Sequence, residues 1–318
     1  LPDVEEISMT EPRKTLGDAA ARQLANTTKT VVQTPGISPR WLPRMMSWVR
    51  VESGTYRVNR TKEGDTTVPL VCSSKTDQEI PSSYVDYVEK PREYNLSSIK
   101  AVLGVHTRVS DLYSSPHDQL KEQLRLTIES LKEKQEFEIL NNPDYGLLKV
   151  AAPSMRFPTR KGPPTPDDLD DMLARVWKEP GFFVAHPRGI AAFGRECTRR
   201  GVPPPTISLF GNQFLTWRGV PLIPSDKVPV TGKPGASKSS FLLMRTGEAK
   251  QGVVGLLQSG LPGEQSPGLS VRFMGINDHS VASYLISLYC SAAVLMDDAL
   301  GVLESVDVDS YHEYKWLS

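Results

Sequence analysis

The chain has 318 residues, 39% of them hydrophobic and 23% charged, which is enough apolar mass for one large domain or two small ones. Its 37 Lys and Arg equal its 37 Asp and Glu, so no global positive field recruits nucleic acid and no strong acidity marks a solvating tail. Three cysteines, Cys72, Cys197 and Cys290, are odd in number and far apart, implying neither a disulfide framework nor a zinc knuckle and pointing to a reducing compartment.

Residues 1 to about 40 are rich in Thr, Ala and charge, with prolines at Pro35, Pro39 and Pro43, and lack the apolar mass to fold alone. Then come Trp41, Leu42, Met45, Met46, Trp48 and Val49, large groups on a polar arm that need a surface to cover. Two surfaces serve: the arm's own domain, or a neighbouring subunit. From Glu52 to Pro91 the alternation of "TYRVNR", a turn at "KEGD" and a second run "TTVPLV" read as a hairpin with few core-forming groups. An isolated two-stranded hairpin is marginal in water, so this excursion is expected to lie on something else.

The body is expected to start near Tyr94. Ser115, Pro116 and Asp118 read as a cap, a first-turn proline and an acidic first turn opening a helix through about Leu140. Leu120, Leu124, Ile128 and Leu131 form its apolar stripe, and at 1.5 Å per residue the helix is roughly 35 Å long, a spine for the body. Pro153 to Pro166 reads as a connection. Thr165, Pro166 and Asp168 then open a shorter helix with Leu169, Met172, Leu173, Val176 and Trp177 at core spacing. A third helix is expected over Gly189 to Arg200, ending at Gly201 and a triple proline. From Thr206 the runs "TISLF", "QFLTW", "SFLLMR", "GVVGLL" and "LSVRFM" read as strands, and a last long helix is expected from about Asp278 to Leu303. Its apolar run, Val281 to Met296, is interrupted by Ser283, Ser287 and Ser291 and reads as a buried helix rather than a membrane span.

Candidate chemistry is thin. "GKPGASKS", Gly232 to Ser239, resembles a phosphate-binding loop but places Ser237 where the glycine before Lys238 belongs, so it reads as a flexible connector. The five histidines show no metal-ligand spacing, and His186 with Cys197 fixes no nucleophile pair. Asp167, Asp168, Asp170 and Asp171 suit the positive end of a helix better than a cation site. Arg195 to Arg200, "RECTRR", could hold an anion or pair across an interface. No catalytic, cofactor-binding or metal-ligating residue is assigned.

Four long collinear stretches carry a resemblance: "LGVHTRVSDLYSSPHDQLKEQLRLTIES", "HPRGIAAFGRECTRRGVPPPTISLFGNQFLTWRGVPLIPS", "LLMRTGEAKQGVVGLLQSGLPGEQSPGLSVRFMGIN" and "ASYLISLYCSAAVL". They closely resemble the family 2A encapsulins, shell proteins of bacterial nanocompartments. The resemblance implies an α+β, Hong Kong 97-like phage capsid fold: an N-terminal arm over 1–48, an extended loop over 49–93, a mainly peripheral domain with the spine helix over 94–205, and a mainly axial domain over 206–318 that returns to the peripheral one. It further implies an icosahedral homo-oligomer, about sixty copies in T=1 symmetry, cytoplasmic, without nucleic acid or membrane anchor. The implied cargo is a cysteine desulfurase involved in sulfur metabolism, with pyridoxal phosphate in the cargo and no cofactor in the shell. Contacts between subunits are expected from Trp41, Met45, Trp48, Tyr56, Val58, Val68 and Leu70; pore and cargo-docking residues are not assigned. Against this stand an enzyme with a site assembled from distant residues, and a peripheral membrane scaffold using the arm's Trp41, Met45, Met46 and Trp48.

Overall fold

The computed structural model describes residues 36–61, 86–106, 119–160 and 162–311. The chain enters through helix α1 (Trp41–Met45) and strand β1 (Trp48–Val51). Strands β2 (Thr55–Val58) and β3 (Arg92–Asn95) form a separate antiparallel pair, and β4 (Ser97–His106) leads toward the long helix α2 (Gln119–Asn141). Helix α3 (Leu147–Val150), a 3-10 turn (Pro153–Met155), β5 (Arg156–Pro158), α4 (Pro166–Arg175), β6 (Phe182–Ala185) and α5 (Pro187–Arg199) follow. The remainder is β7 (Thr206–Leu209), β8 (Asn212–Trp217), β9 (Val220–Pro224), β10 (Lys238–Met244), β11 (Val253–Gln258), β12 (Glu264–Ser266), β13 (Leu269–Ile276), β14 (Val281–Val294) and β15 (Leu300–Asp307), with a 3-10 turn (Asp297–Ala299) before the last.

Two sheets organise these elements. A seven-stranded sheet runs β5-β15-β10-β6-β9-β8-β7 and packs α4 and α5 through Leu169, Met172, Phe193 and Cys197. The six-stranded sheet is built on β14, which pairs with β4 along Val281–Cys290 on one side and, on the other, with β13 and then β11. Helix α2 lies over this sheet. Its Leu131, with Leu124 and Ile128, meets Ile286, Leu288 and Leu269, while Ile139 and Leu140 at its far end enter a core shared by both sheets.

The 205/206 boundary expected from sequence crosses the seven-stranded sheet: β5 and β6 lie before it, β7 to β10 and β15 after it. Sheet membership is set by pairing rather than by order along the chain, and residues 253–294 return to the other sheet.

Three expectations need correction. The helix expected over Asp278 to Leu303 is strand β14, a short turn and strand β15. Ser283, Ser287 and Ser291 are spaced by four, which puts them on one face in a helix and equally in a strand, so their spacing could not decide the period. Trp177, expected in the core from its spacing, is 68% exposed, because α4 ends at Arg175 and Val176 leaves helical geometry (φ −95°, ψ 47°). The partner of "TYRVNR" is β3, with Thr55 opposite Asn95 and Val58 opposite Arg92; the "TTVPLV" run expected to pair with it lies outside the described residues, as does the cap at Ser115 to Asp118.

The other helices follow their sequence signals. Helix α2 spans Gln119–Asn141, ending one residue beyond the expected Leu140. Helix α4 opens on a full capping box: Thr165 Oγ1 accepts from the Asp168 N–H at 3.2 Å, and Asp168 Oδ2 accepts from the Thr165 N–H at 3.0 Å.

Candidate assembly surfaces

The arm residues find partners in their own chain. Arg40 (φ 51°) turns the backbone into α1, and its guanidinium pairs with Glu129 of the spine helix at 2.5 Å. Ser38 adds a backbone hydrogen bond to Glu133 Oε1 at 2.9 Å. Trp41, only 8% exposed, sits between Phe210 (centroids 6.0 Å apart, stacked) and Phe214 (5.2 Å, edge-on). Leu42 and Met46 are buried in the same core and Met45 packs against it. Trp48 donates its Nε1–H to the Pro43 carbonyl at 2.8 Å and opens β1, which runs parallel to β11 with Trp48 opposite Gly255. A Cβ at Gly255 would come within 2.4 Å of the Trp48 ring, so only glycine admits the indole there. The arm's root is thus a strand and a helix built into its own protomer.

The β2–β3 pair is held to the junction of the two sheets. Tyr56 Oη donates to Glu248 Oε1 at 2.5 Å, and the Tyr94 hydroxyl donates to the Val294 carbonyl. Burial, reinforced by the Glu248 carboxylate, pushes the Tyr56 phenol up to about 12. Arg60 donates to the Leu295 carbonyl at 3.2 Å, and Arg60 and Arg92 both lie 3.6 Å from Asp297. Val58 packs against Val51, Val254 and Leu256. Val68 and Leu70 lie outside the described residues.

Surfaces suited to contact with other copies lie elsewhere, and sequence reasoning did not single them out. Strand β4 runs ten residues with strictly alternating exposure, and its outer edge pairs with no strand among the described residues. Such an edge invites pairing unless something covers it. Val102 (66% exposed), Phe273 (57%), Met274 (60%) and Ile276 (60%) leave apolar groups in water around the far end of this sheet. The signal available in sequence was "VRFMGIN", where Phe273 and Met274 are adjacent and so cannot share one face of a regular strand. A register shift between Phe273 and Gly275 accommodates them.

The candidate chemical clusters are internally satisfied. Asp170 accepts from Trp217 and Arg218, Asp171 pairs with Arg160, and Asp167 with Arg200. Within "RECTRR", Glu196 pairs with both Arg199 and Arg200, and Arg195 donates to the Val308 and Ser310 carbonyls. His186 caps α5, its Nδ1 accepting from the Arg188 N–H at 3.1 Å. Burial pushes the Cys197 thiol up to about 11 and Cys290 up to about 12, which leaves both inert as nucleophiles near neutrality. No group of three or more His, Cys, Asp or Glu able to hold a metal occurs among the described residues, and no helix there is long and apolar enough to cross a membrane.

A long spine helix over a sheet, a second sheet flanked by helices, and the antiparallel β2–β3 pair packed on the first sheet define a Hong Kong 97-like capsid fold. The chain aligns with the capsid of the cyanophage P-SCSP1u at a TM-score of 0.56 over 89% of this chain and 94% of that one, and the 12% identity makes this a likeness of fold alone. The family model for the SrpI-like type 2A encapsulin shell protein matches residues 54–310. The chain is 61% identical over 305 residues to the type 2A encapsulin shell protein SrpI of Synechococcus elongatus, covering 96% of this chain and 98% of that protein. The cryo-EM structure of the holo-SrpI encapsulin complex from Synechococcus elongatus superposes with a TM-score of 0.82 at 60% identity, covering 95% of this chain and all of that one. The chain therefore belongs to the type 2A encapsulin shell proteins. It is a self-assembling structural protein, not an enzyme.

Proposed function

We propose that about sixty copies of this chain close into a T=1 icosahedral shell in the cytoplasm and enclose a cysteine desulfurase. The pyridoxal phosphate belongs to the cargo, and the shell serves sulfur metabolism by admitting small solutes where copies meet. The observation that carries the reading is near-complete alignment at high identity to a shell protein solved as a holo complex. In this reading the seven-stranded sheet with α4 and α5 is the axial layer, and the six-stranded sheet with the spine helix is the peripheral layer. Val68 and Leu70 of the extended loop reach the neighbouring subunit, Tyr56 and Val58 hold the loop's base on its own protomer from which it reaches out, and Trp41, Met45 and Trp48 set the angle at which the arm leaves its own.

Closed symmetry repeats each modest contact many times, so the container is far more stable than any one interface. Negative-stain electron microscopy and mass photometry of the protein expressed alone test the assembly. Uniform hollow particles of megadalton mass are expected; a monomer or dimer would refute the shell. Co-expression with a pyridoxal-phosphate-dependent cysteine desulfurase tests the cargo. The desulfurase should elute with the particles and carry pyridoxal absorbance into that peak, and its absence from them would remove the desulfurase from the reading.

A further inference from the structure

The "GKPGASKS" segment that reads as a connector joins β9 to β10 at the end of the seven-stranded sheet remote from the six-stranded one. There β6, β9 and β15 finish and β10 begins. The loop is closed on itself: Thr231 and Lys238 exchange backbone hydrogen bonds at 2.8 and 2.6 Å, and the Ala236 N–H donates to the Lys233 carbonyl at 2.9 Å. Gly232 (φ 111°) and Gly235 (φ 88°) supply the left-handed turns, and a Cβ at Gly232 would lie 2.6 Å from the Ala236 carbonyl. This backbone aims two N–H groups at one point, and the point is occupied. Asp309 Oδ2 accepts from the Gly235 N–H and the Ser237 N–H, each at 3.0 Å, while its Oδ1 accepts from the Arg188 guanidinium at the start of α5.

The carboxylate is delivered by a braced segment. Asp307 lies opposite Lys238 in the β10–β15 ladder, the Val308 N–H donates to the Ser237 carbonyl at 3.0 Å, and the Asp309 N–H donates to Asp307 Oδ1 at 2.9 Å. The Ser237 hydroxyl and N–H, then Arg188, hold the Asp309 carboxyl down at about 2, so it is ionised at any ordinary pH.

We propose that this loop is an anion cradle of the glycine-rich kind, plugged by the chain's own Asp309, and that the segment from Asp307 to Ser310 is the strap fixing the loop's shape. Neighbouring backbone N–H groups that a glycine-rich turn converges on one point bind anions generally, and a carboxylate is sufficient. Tethering gives the plug a high effective concentration, so free anions do not displace it. The proposal stands on these contacts and does not depend on the shell reading.

Hydrogen exchange on the full-length protein, with Asp309→Ala, Asp309→Asn, a truncation after Val308 and a truncation after Tyr311, tests it. Asp309→Ala and the truncation after Val308 should speed exchange of the Gly235 and Ser237 amides by about tenfold or more, while Phe241 to Met244 in β10 stay protected. Asp309→Asn, which keeps one carbonyl oxygen, should fall between, and the truncation after Tyr311 should match wild type. Acetate or inorganic phosphate should restore protection in Asp309→Ala and leave wild type unchanged. Unchanged exchange in Asp309→Ala, equal acceleration through β10, or failure of both anions to restore protection would overturn the proposal.

Discussion

Replacing Trp41 by Ala separates an arm anchored in its own protomer from one docked on a neighbour. The indole is 8% exposed within the single chain and touches Phe210 and Phe214. Removal of a buried Trp costs about 3–5 kcal/mol, of which each aromatic pair supplies roughly 0.5–1.5. The midpoint, about 4 kcal/mol, lowers the folded-to-unfolded ratio by a factor of about 10³. The assay is urea unfolding at two protein concentrations about a hundredfold apart, since an interaction between copies follows mass action and one inside the chain does not. The loss from Trp41→Ala should be the same at both. Phe210, at 59% exposure, should cost about 1 kcal/mol when truncated, and the double mutant should show a coupling of about 0.5–1.5 kcal/mol through the stacked pair. A loss below about 1 kcal/mol at low concentration that grows at high concentration would refute the cis anchor.

Gly255→Ala should cost about 1–3 kcal/mol in a thermal melt, because the new Cβ would lie 2.4 Å from the Trp48 ring and β1 must shift away from β11. Asp298→Ala should cost about 2–3 kcal/mol, since it removes the 2.7 Å partner of Arg245, which is 3% exposed, while the 31% exposure of Asp298 tempers the loss; a cost near zero in chemical denaturation would contradict this. Glu136 is buried, and desolvation, despite a 2.9 Å hydrogen bond from Ser225 Oγ and with Glu133, Asp226 and Lys227 nearby, raises its carboxyl above the usual range. A raised folded value means that stability falls as pH rises from the ordinary carboxylate value through the folded one. Glu136→Gln should match wild type near pH 4 and exceed it near pH 7. Deleting Thr55 to Val71 should abolish or weaken particle formation in negative stain, and intact particles of normal thermal stability would contradict a role for the extended loop in assembly.

The parts of the fold that sequence made legible are those where one local rule acts alone. The spine helix shows a period-3.6 stripe from Leu120 to Leu131, about three turns, and α4 has Thr165, Pro166 and Asp168 in capping order. The strands after Thr206 are separated by Gly and Pro that admit few alternatives. Legibility fails where burial is two-sided. Strands β6 and β14 are covered on both faces for much of their length, so "FFVA" carries no alternation and Val281 to Val294 little. Strand β4 alternates regularly in exposure, but its outward positions Ser98, Lys100, Val102, Gly104 and His106 include a valine and its inward centre is Ala101, so the hydrophobic contrast in sequence is weak. Of the candidate clusters, the acidic residues of α4 are paired with Arg160, Arg200, Arg218 and Trp217, and Cys197 and Cys290 are buried, whereas the glycine-rich loop, where sequence shows only Lys238 and a missing glycine, has its partner 72 residues from Ser237, at Asp309.

The placement of the arm follows from the same two-sided burial. Strand β14 uses one face to receive the spine helix through Ile286 and Leu288; on the other, Ala293, with Leu295 just past the strand's end, receives Val51, Tyr56, Val58 and Tyr94. The six-stranded sheet is therefore already filled on both faces around β11 by elements of the same chain, and there its capacity for contact with other copies is low. Among the described residues, what it retains includes its β4 edge and the exposed apolar groups Val102, Phe273, Met274 and Ile276 at the opposite end. If copies of this chain meet through the six-stranded sheet, they meet at that end, and a charge placed there, such as Ile276→Asp, should block assembly while leaving the melting of the dissociated chain nearly unchanged, as expected for a position 60% exposed in the protomer. Particles that form normally with Ile276→Asp would move the interface off this end.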